Sequence, residues 1–464
     1  MNRFKIFIIL GILLGTVSCS KDFLDADLQT TKRFEDGVKT PRDMHNLVMG
    51  VYNRMNESTY YGRDFIMFGE LRSDNAYNSE GTGRFIEVGS FDMLANETNA
   101  REPWQQMYAC IQLCNVVINN TTVTEDDEVK FYKGQALALR ALVYFDLNRL
   151  FGQAYVADAA SPALGVPLVL TFDNTASSAS PGRSTLAAVN AQIEKDFLAG
   201  IALMNGNDEK YKIPKNEMNT NAAHALLGRY YLYNGKWADC ITHSKPLVVS
   251  GSYPFIAPAL YQGSWTLGNA GETIFELSFT DVDNLGTTGY SYMWAQDGYD
   301  DIYVHPSFES LFSGDDVRSP YITGASGYSL LKFPYEVKSH NVRVIHIGEV
   351  YMNYVEACVK SGVELSTALG VVNSLRSVRH SSAITGWTLT DLTEENVLAE
   401  RRLELSLEGH RYFDLCRTGT SFNRYGSTGS VVETLAAPNN KLAFPIPERE
   451  MDANPNLVNQ NPGY

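Results

Sequence analysis

Positive charge is in deficit in this chain. Its 464 residues carry 38 Lys and Arg against 53 Asp and Glu, a formal net charge of −15. A surface of that sign repels a phosphate backbone, which argues against nucleic acid as a ligand and gives no reason to expect docking on an anionic membrane surface. Cysteine is scarce too. Apart from Cys19 there are Cys110, Cys114, Cys240, Cys358 and Cys416, an odd and scattered set that makes no disulfide framework. Cys110 and Cys114 stand one helical turn apart with no His nearby, so they read as small core residues, not a metal pair. The eight His are dispersed, and His340 and His346, six apart, have no third ligand. Asp297, Asp300, Asp301, Asp315 and Asp316 lack the order and the glycine of an EF-hand. There is no HExxH, no G-x-S-x-G and no phosphate-cradling Walker loop. The expectation is a protein that is not an enzyme and that carries no cofactor and no metal. After the first eighteen residues no run is long and apolar enough to span a bilayer.

What is present starts with those eighteen residues. Arg3 and Lys5 make a basic start, residues 6–17 an apolar run too short for a mature span, and Gly15-Thr16-Val17-Ser18 leads into Cys19. A small residue directly before a Cys resembles a bacterial lipobox, although Thr16 stands where Leu is usual. On that resemblance residues 1–18 are a lipoprotein signal peptide and Cys19 is the acylated first residue, so acyl chains anchor the protein without a transmembrane helix. The acidic Ser20-Lys21-Asp22 leader resembles those of lipoproteins sent to the cell surface.

Residues 394–419 are the stretch the chain is organised around. Thr393 is a candidate N-cap, and Glu394 and Glu395 suit a first helical turn. Val397, Leu398, Leu403, Leu405 and Leu407 supply apolar contacts, interleaved with Glu400, Arg401, Arg402, Glu404 and Glu408. Glu400 and Glu404 are like charges at i,i+4, which the adjacent Arg401 and Arg402 can offset. Gly409 and Gly419 read as breaks. A structural ionic clamp is the favoured reading, with an active site of Glu, His410, Arg411 and Asp414 as the sharper one.

The remaining helices follow from periodicity. Residues 40–56 carry Pro41 at a first helical position; 102–120, 125–151, 184–204, 221–249 and 349–380 are also helical. Residues 60–91 read as irregular chain with short strands, and 177–184 as a polar turn. Leu227-Gly228, Tyr231 and Cys240 match a tetratricopeptide pattern, in which Gly228 lets two helices touch. Gly362 reads as a turn between two more helices. Trp104 and Trp237 are assigned to the core.

The motif Glu400-Arg401-Arg402, Glu404-Leu405, Glu408-Gly409-His410-Arg411, Phe413-Asp414-Leu415, Arg417, Gly419 resembles the C-terminal signature of the SusD-like (SusD/RagB) family of outer-membrane nutrient-binding lipoproteins. Cys416 departs from it, standing where a larger or charged residue is usual. The ending, from Phe444-Pro445-Ile446-Pro447 to Asn461-Pro462-Gly463-Tyr464, is similar to that family's terminus. The resemblance implies a mainly α fold: a degenerate tetratricopeptide-type helical-repeat scaffold with long loops and small β-hairpins inserted. Residues 19–464 are then one domain, with repeat helices within about 102–249 and 345–419 and a loop-rich ligand face at about 60–101 and 250–344. It implies capture of an oligosaccharide and its transfer to a SusC-like TonB-dependent transporter at the outer membrane. The alternative is the peptide-binding, RagB-type version. A glycosidase would need two carboxylates across an open cleft, and no pair signals that.

A sugar ring offers an apolar face that stacks on Tyr or Trp and a rim of hydroxyls that pair with Asp, Asn, Gln or Arg. Two regions supply that mixture. Residues 72–101 hold Asp74, Asn75, Tyr77, Arg84 and Asn99; residues 286–303 hold Tyr290, Tyr292, Trp294 and Tyr299, together with Gln296 and Tyr303. Tyr290, Tyr292 and Trp294 alternate, so on a strand they share one face, turned either to ligand or to a helical layer.

Overall fold

The computed structural model describes residues 37–172, 180–324, 327–337 and 339–464. The expected signal peptide 1–18, Cys19 and the start of the turn over 177–184 lie outside the described residues.

Helix α1 (Pro41–Asn56) begins with a capping box: Thr40 Oγ1 accepts from the Asp43 amide at 3.2 Å, and the Asp43 carboxylate accepts from the Thr40 amide at 2.9 Å. Helix α2 (Asp64–Leu71) corrects the reading of 60–91 as irregular with short strands. Every residue of Asp64–Leu71 is buried. A helix with no wet side leaves no 3.6-residue alternation of apolar and polar in the sequence. One short strand does follow, β1 (Ala76–Asn78).

Next come α3 (Thr98–Ile118), α4 (Asp127–Phe151), α5 (Leu186–Met204), α6 (Thr220–Tyr233) and α7 (Trp237–Ser250), each packed on its successor. Small residues set the close approaches. A Cβ on Gly134 of α4 would lie 2.8 Å from the carbonyl oxygen of Gly200 in α5, and one on Gly200 would lie 2.7 Å from that of Gly134. A Cβ on Gly228 would lie 2.7 Å from Ser244 Oγ, so α6 and α7 touch where the repeat pattern requires it. Cys110 and Cys114 are buried core residues, as is Trp104; Trp237 is half-buried against the core.

The following region carries β2 (Thr273–Leu277), the short helix α8 (Tyr290–Trp294), β3 (Ile302–Val304), β4 (Tyr321–Gly324), β5 (Gly327–Leu330) and β6 (Val342–His346). Helices α9 (Ile347–Ser361) and α10 (Leu365–Val378) then form a pair turned at Gly362, whose φ of 70° suits glycine. The chain ends through α11 (Glu394–Glu404), α12 (Arg411–Thr418) and the hairpin β7 (Phe422–Tyr425) to β8 (Val431–Leu435). Helix α9 also packs on α7 and α11, which ties the second set of helices to the first. The result is a mainly α scaffold of tetratricopeptide-type helix pairs. Among the described residues the sheets are antiparallel pairs: β1 with β3, β2 with β6, β4 with β5, β7 with β8.

Residues Tyr290, Tyr292 and Trp294, expected on a strand, form helix α8 instead. On a helix, positions two apart point about 200° away from each other. Tyr290 and Trp294 therefore enter the core together, 2% and 0% exposed, while Tyr292 stays half-buried on the other side.

Candidate ligand-binding face

A buried knot of ion pairs positions this face. Helix α11 is capped by Thr393, whose side chain accepts from the Asn396 amide. Its Glu404 accepts from Arg379 Nε at 2.9 Å and Nη2 at 2.8 Å, and from Arg318 Nη1 at 3.3 Å. Glu400 accepts from Arg318 Nη1 at 2.7 Å and Arg376 Nε at 3.2 Å. The expected offset by Arg401 and Arg402 is therefore corrected: the arginines that neutralise Glu400 and Glu404 come from distant segments. Arg401 instead donates to Asp414 at 2.8 Å and to Asn353 at 2.6 Å. Glu272, His346 and Glu404 bring donor atoms within 4.8 Å of one another, the spacing of a metal set. Both carboxylates, however, already hold Arg379.

The active-site reading of this stretch fails on the same geometry. Burial pushes His410 down to about 3 despite nearby Glu349, so it is neutral at pH 7. Asp414 is held by Arg401 and Arg417. Arg411 chelates Asp74 at 2.7 and 2.9 Å. Charges saturated by partners of opposite sign are a clamp, not a proton relay.

The clamp takes up two of the residues nominated for ligand. Asp74 is held by Arg411 and Arg402, which together outweigh its burial and lower its pKa. Asn75 is buried; its amide donates to Glu70 at 2.9 Å and its oxygen accepts from Arg402 at 2.8 Å. Both anchor the entry to β1. Tyr290 and Trp294 likewise lie beneath the surface, the Tyr290 hydroxyl donating to the Leu407 carbonyl at 3.1 Å. As ligand contacts these four are corrected: Asp74, Asn75 and Tyr290 spend their polar groups on protein partners, and Trp294 is fully buried. Asn99, half-buried on the first turn of α3, donates to Glu87.

Beyond the anchor, β1 and β3 join the two nominated regions. Tyr77 faces Tyr303 in the register, and their rings stack at 5.6 Å and 22°. Tyr303 lies 6.4 Å from Tyr328, whose hydroxyl donates to Asp300 at 2.6 Å. On the other side His305 lies 6.1 Å from Tyr77 and stacks flat on Tyr425 at 3.6 Å. A second cluster sits at the start of the same segment: Tyr292 lies 4.8 Å from Tyr299 and 5.5 Å from Tyr335, and the Arg84 guanidinium covers the Tyr299 ring at 3.5 Å. Arg84 also donates to Thr82 Oγ1 at 2.6 Å, and Thr82 donates to Asp301. All eight rings are half-buried, each with one part packed and one part reaching solvent.

Burial first, then the Asp300 carboxylate, raises the pKa of Tyr303 and Tyr328, so both stay protonated. Two depressions flank the rings. One, a shallow dent of about 20 Å³, is lined by Tyr292, Tyr335, Leu285 and Phe279, the other, of about 30 Å³, by Tyr77, Asn78, Arg424 and Tyr425. A larger hollow of about 650 Å³ runs along α11 and α12, but no aromatic side chain lines it. Tyr328, Tyr335, His305 and Tyr425 were not singled out from sequence, because strand pairing and turns bring them in from separate segments.

A model described as the SusD family matches residues 313–464, and one described as starch-binding, associating with outer membrane, matches residues 22–232. SusD-like protein P2 of Formosa agariphila is 25% identical over all of both chains. A SusD superfamily protein of Bacteroides vulgatus superposes with a TM-score of 0.82 at 28% identity, over 92% of this chain and 100% of that one. Another, of Bacteroides thetaiotaomicron, gives 0.81 at 26% identity over 91% and 100%. The family is one of binding proteins, and this member is non-enzymatic. With both ends matched by its models, the signature of α11 and α12 in place and the same fold throughout, the chain belongs to the SusD-like family.

Proposed function

We propose that this protein is a cell-surface lipoprotein of the outer membrane that captures an oligosaccharide and passes it to a SusC-like TonB-dependent transporter. Residues 1–18 are removed, Cys19 carries the acyl chains, and residues 19–464 act as one domain. The observation that carries the reading is the row of half-buried rings on β1, β3 and the loops beside them, with Arg84, Asp300 and Gln296 at its edges. Flat apolar faces next to paired donors and acceptors match the two-sided chemistry of a sugar ring. The starch-binding description of the N-terminal family model supports the same ligand class.

On this reading Tyr77, Arg84, Tyr292 and Tyr299 touch ligand, joined by Tyr303, Tyr328 and Tyr335. Tyr290 and Trp294 support them from below. Calorimetric titration against a panel of oligosaccharides tests it, with unmodified peptides as the second arm. At least one glycan class binds, and Tyr303→Ala weakens it about tenfold or more, the worth of roughly 1.4 kcal/mol. Saturable peptide binding with no response to any glycan would overturn the reading in favour of the RagB-type alternative.

A further inference from the structure

Arg402 and Arg411 share one carboxylate. Asp74 Oδ1 lies 2.7 Å from Arg411 Nε and 3.2 Å from Arg402 Nη2. The other Asp74 oxygen accepts from Arg411 Nη2 at 2.9 Å, and Arg402 completes its contacts on Asn75 Oδ1 and the Asp74 carbonyl. Two cations against one anion leave a positive charge in excess. Burial first, then Arg411 beside it, lowers Arg402 to about 10, so the two guanidiniums repel where they meet. Each keeps one nitrogen, Nη1, with no protein partner among the described residues, and neither Nη1 is sealed from solvent.

Both arginines line the hollow of about 650 Å³ along α11 and α12. Pockets for small ligands fall between about 300 and 1000 Å³. Leu398 and Ala399 of α11, with Leu311, give the hollow an aliphatic wall, and Leu311 is 48% exposed. Two of its three lining carboxylates are already neutralised: Asp414 by Arg401 and Arg417, Glu394 by Lys360. The third, Glu395, is exposed to water, which screens it.

The free donors select the head group. The paired nitrogens with which Arg411 would grip an anion side-on are spent on Asp74, so one nitrogen from each guanidinium remains. A carboxylate has two oxygens and can take one donor on each. A phosphate brings more charge and more acceptors than the two nitrogens can match. We propose that this hollow binds a small aliphatic carboxylate, with its head group between Arg402 and Arg411 and its alkyl body on Leu311, Leu398 and Ala399. No residue of the ring face lines the hollow, so this is a second site with a ligand class other than a sugar.

Calorimetric titration of octanoate into the mature chain tests this, with octanol and inorganic phosphate as separate arms. One equivalent of octanoate binds saturably, and octanol and phosphate each bind at least about tenfold more weakly. Ala399→Glu places bulk and negative charge on the wall without touching the ion pairs. It weakens octanoate about tenfold or more and leaves Tm and oligosaccharide affinity unchanged. Arg411→Lys keeps the charge, removes Nη1 and also weakens octanoate, with circular dichroism checking that the helices remain. Absence of saturable octanoate binding overturns the site, as does binding unchanged in Ala399→Glu. Octanol binding as tightly as octanoate overturns the role of the arginines, and phosphate binding as tightly overturns the carboxylate class. Oligosaccharide is titrated separately, so failure here leaves the ring face standing and failure there leaves the hollow standing.

Discussion

Arg379 lies between Glu272 and Glu404 and chelates both, donating to Glu272 at 2.9 and 2.7 Å and to Glu404 at 2.9 and 2.8 Å. All three side chains are buried. One guanidinium thus ties the residue before β2, the end of α10 and helix α11 together. Removing it leaves two carboxylates in a dry site, with only Arg318 reaching Glu404. Breaking one partner of a buried pair costs about 3–5 kcal/mol. Arg379→Ala should therefore lower the unfolding free energy from urea titration by an amount in that range, and Glu404→Gln by less, since the amide keeps part of the hydrogen bonding. A midpoint within error of the parent for Arg379→Ala would remove the clamp from the account of stability.

Acid should unfold this protein through the same knot. Burial alone would raise Glu408 and Glu349, but Lys332 and His346 beside the first and Arg229 beside the second outweigh it, holding both at about 2 against 4.5 for a free Glu. Their folded pKa is below the unfolded one, so the stability they add is present above pH 4.5 and is lost as pH falls from 4.5 towards 2. Glu70 has the opposite sign. Burial raises it to about 7, so its ionisation works against the fold as pH rises from 4.5 to 7. Urea midpoints measured across pH should show Glu70→Gln gaining on the parent above pH 7 and losing that gain below pH 4.5.

How far the sequence was readable depends on whether the signal was local. Pro41, Thr393, Gly228 and Gly362 act within a turn or two of chain, or in a repeat of known spacing, and each does in the structure what its position implied. Helix α2 was invisible because a fully buried helix has no polar face. The partners of Glu400 and Glu404 were misassigned to their neighbours Arg401 and Arg402, since spacing along one helix says nothing of Arg318, Arg376 and Arg379. The two loop regions do meet, at β1 and β3, yet alternation in Tyr290, Tyr292 and Trp294 was read with period two when the segment turns as a helix. Three aromatics in five residues fit either period, and only the tertiary burial of Tyr290 and Trp294 decides between them.

Trp294 and Tyr303 should separate under substitution. Trp294 is fully buried, and replacing a buried Trp by Ala costs about 3–5 kcal/mol through lost burial and a residual cavity. Tyr303 is half-buried on a short strand and contacts Tyr77 and Tyr328. Trp294→Ala should lower Tm sharply while the fraction that stays folded binds oligosaccharide with little change. Tyr303→Ala should leave Tm within a few degrees and lose affinity. A reversal, with Trp294→Ala abolishing binding at unchanged Tm, would mean that helix α8 opens to expose its buried side.

A close approach of two glycines gives the last prediction. Gly69 in α2 lies against Gly409, so that an added Cβ would sit 2.6 Å from Gly409 Cα and closer still to its carbonyl group. Gly409 cannot retreat. Its φ is +84°, its own Cβ position lies 2.8 Å from Ile66 Cα, and its amide donates to Glu70 at 2.8 Å. In helix α2 an exposed Gly→Ala change would stabilise by about 1 kcal/mol through helix propensity. Here the clash reverses the sign: overpacking in a close-packed interior costs about 1–3 kcal/mol or more, and in this place it also separates Glu70 from the Gly409 amide. Gly69→Ala should therefore lower the urea midpoint, and amide exchange should speed up across α2 and at residues 405–411 before the repeat helices α4 to α7 respond. Uniform acceleration over the whole chain would show instead that this contact is part of the global fold and not a local joint.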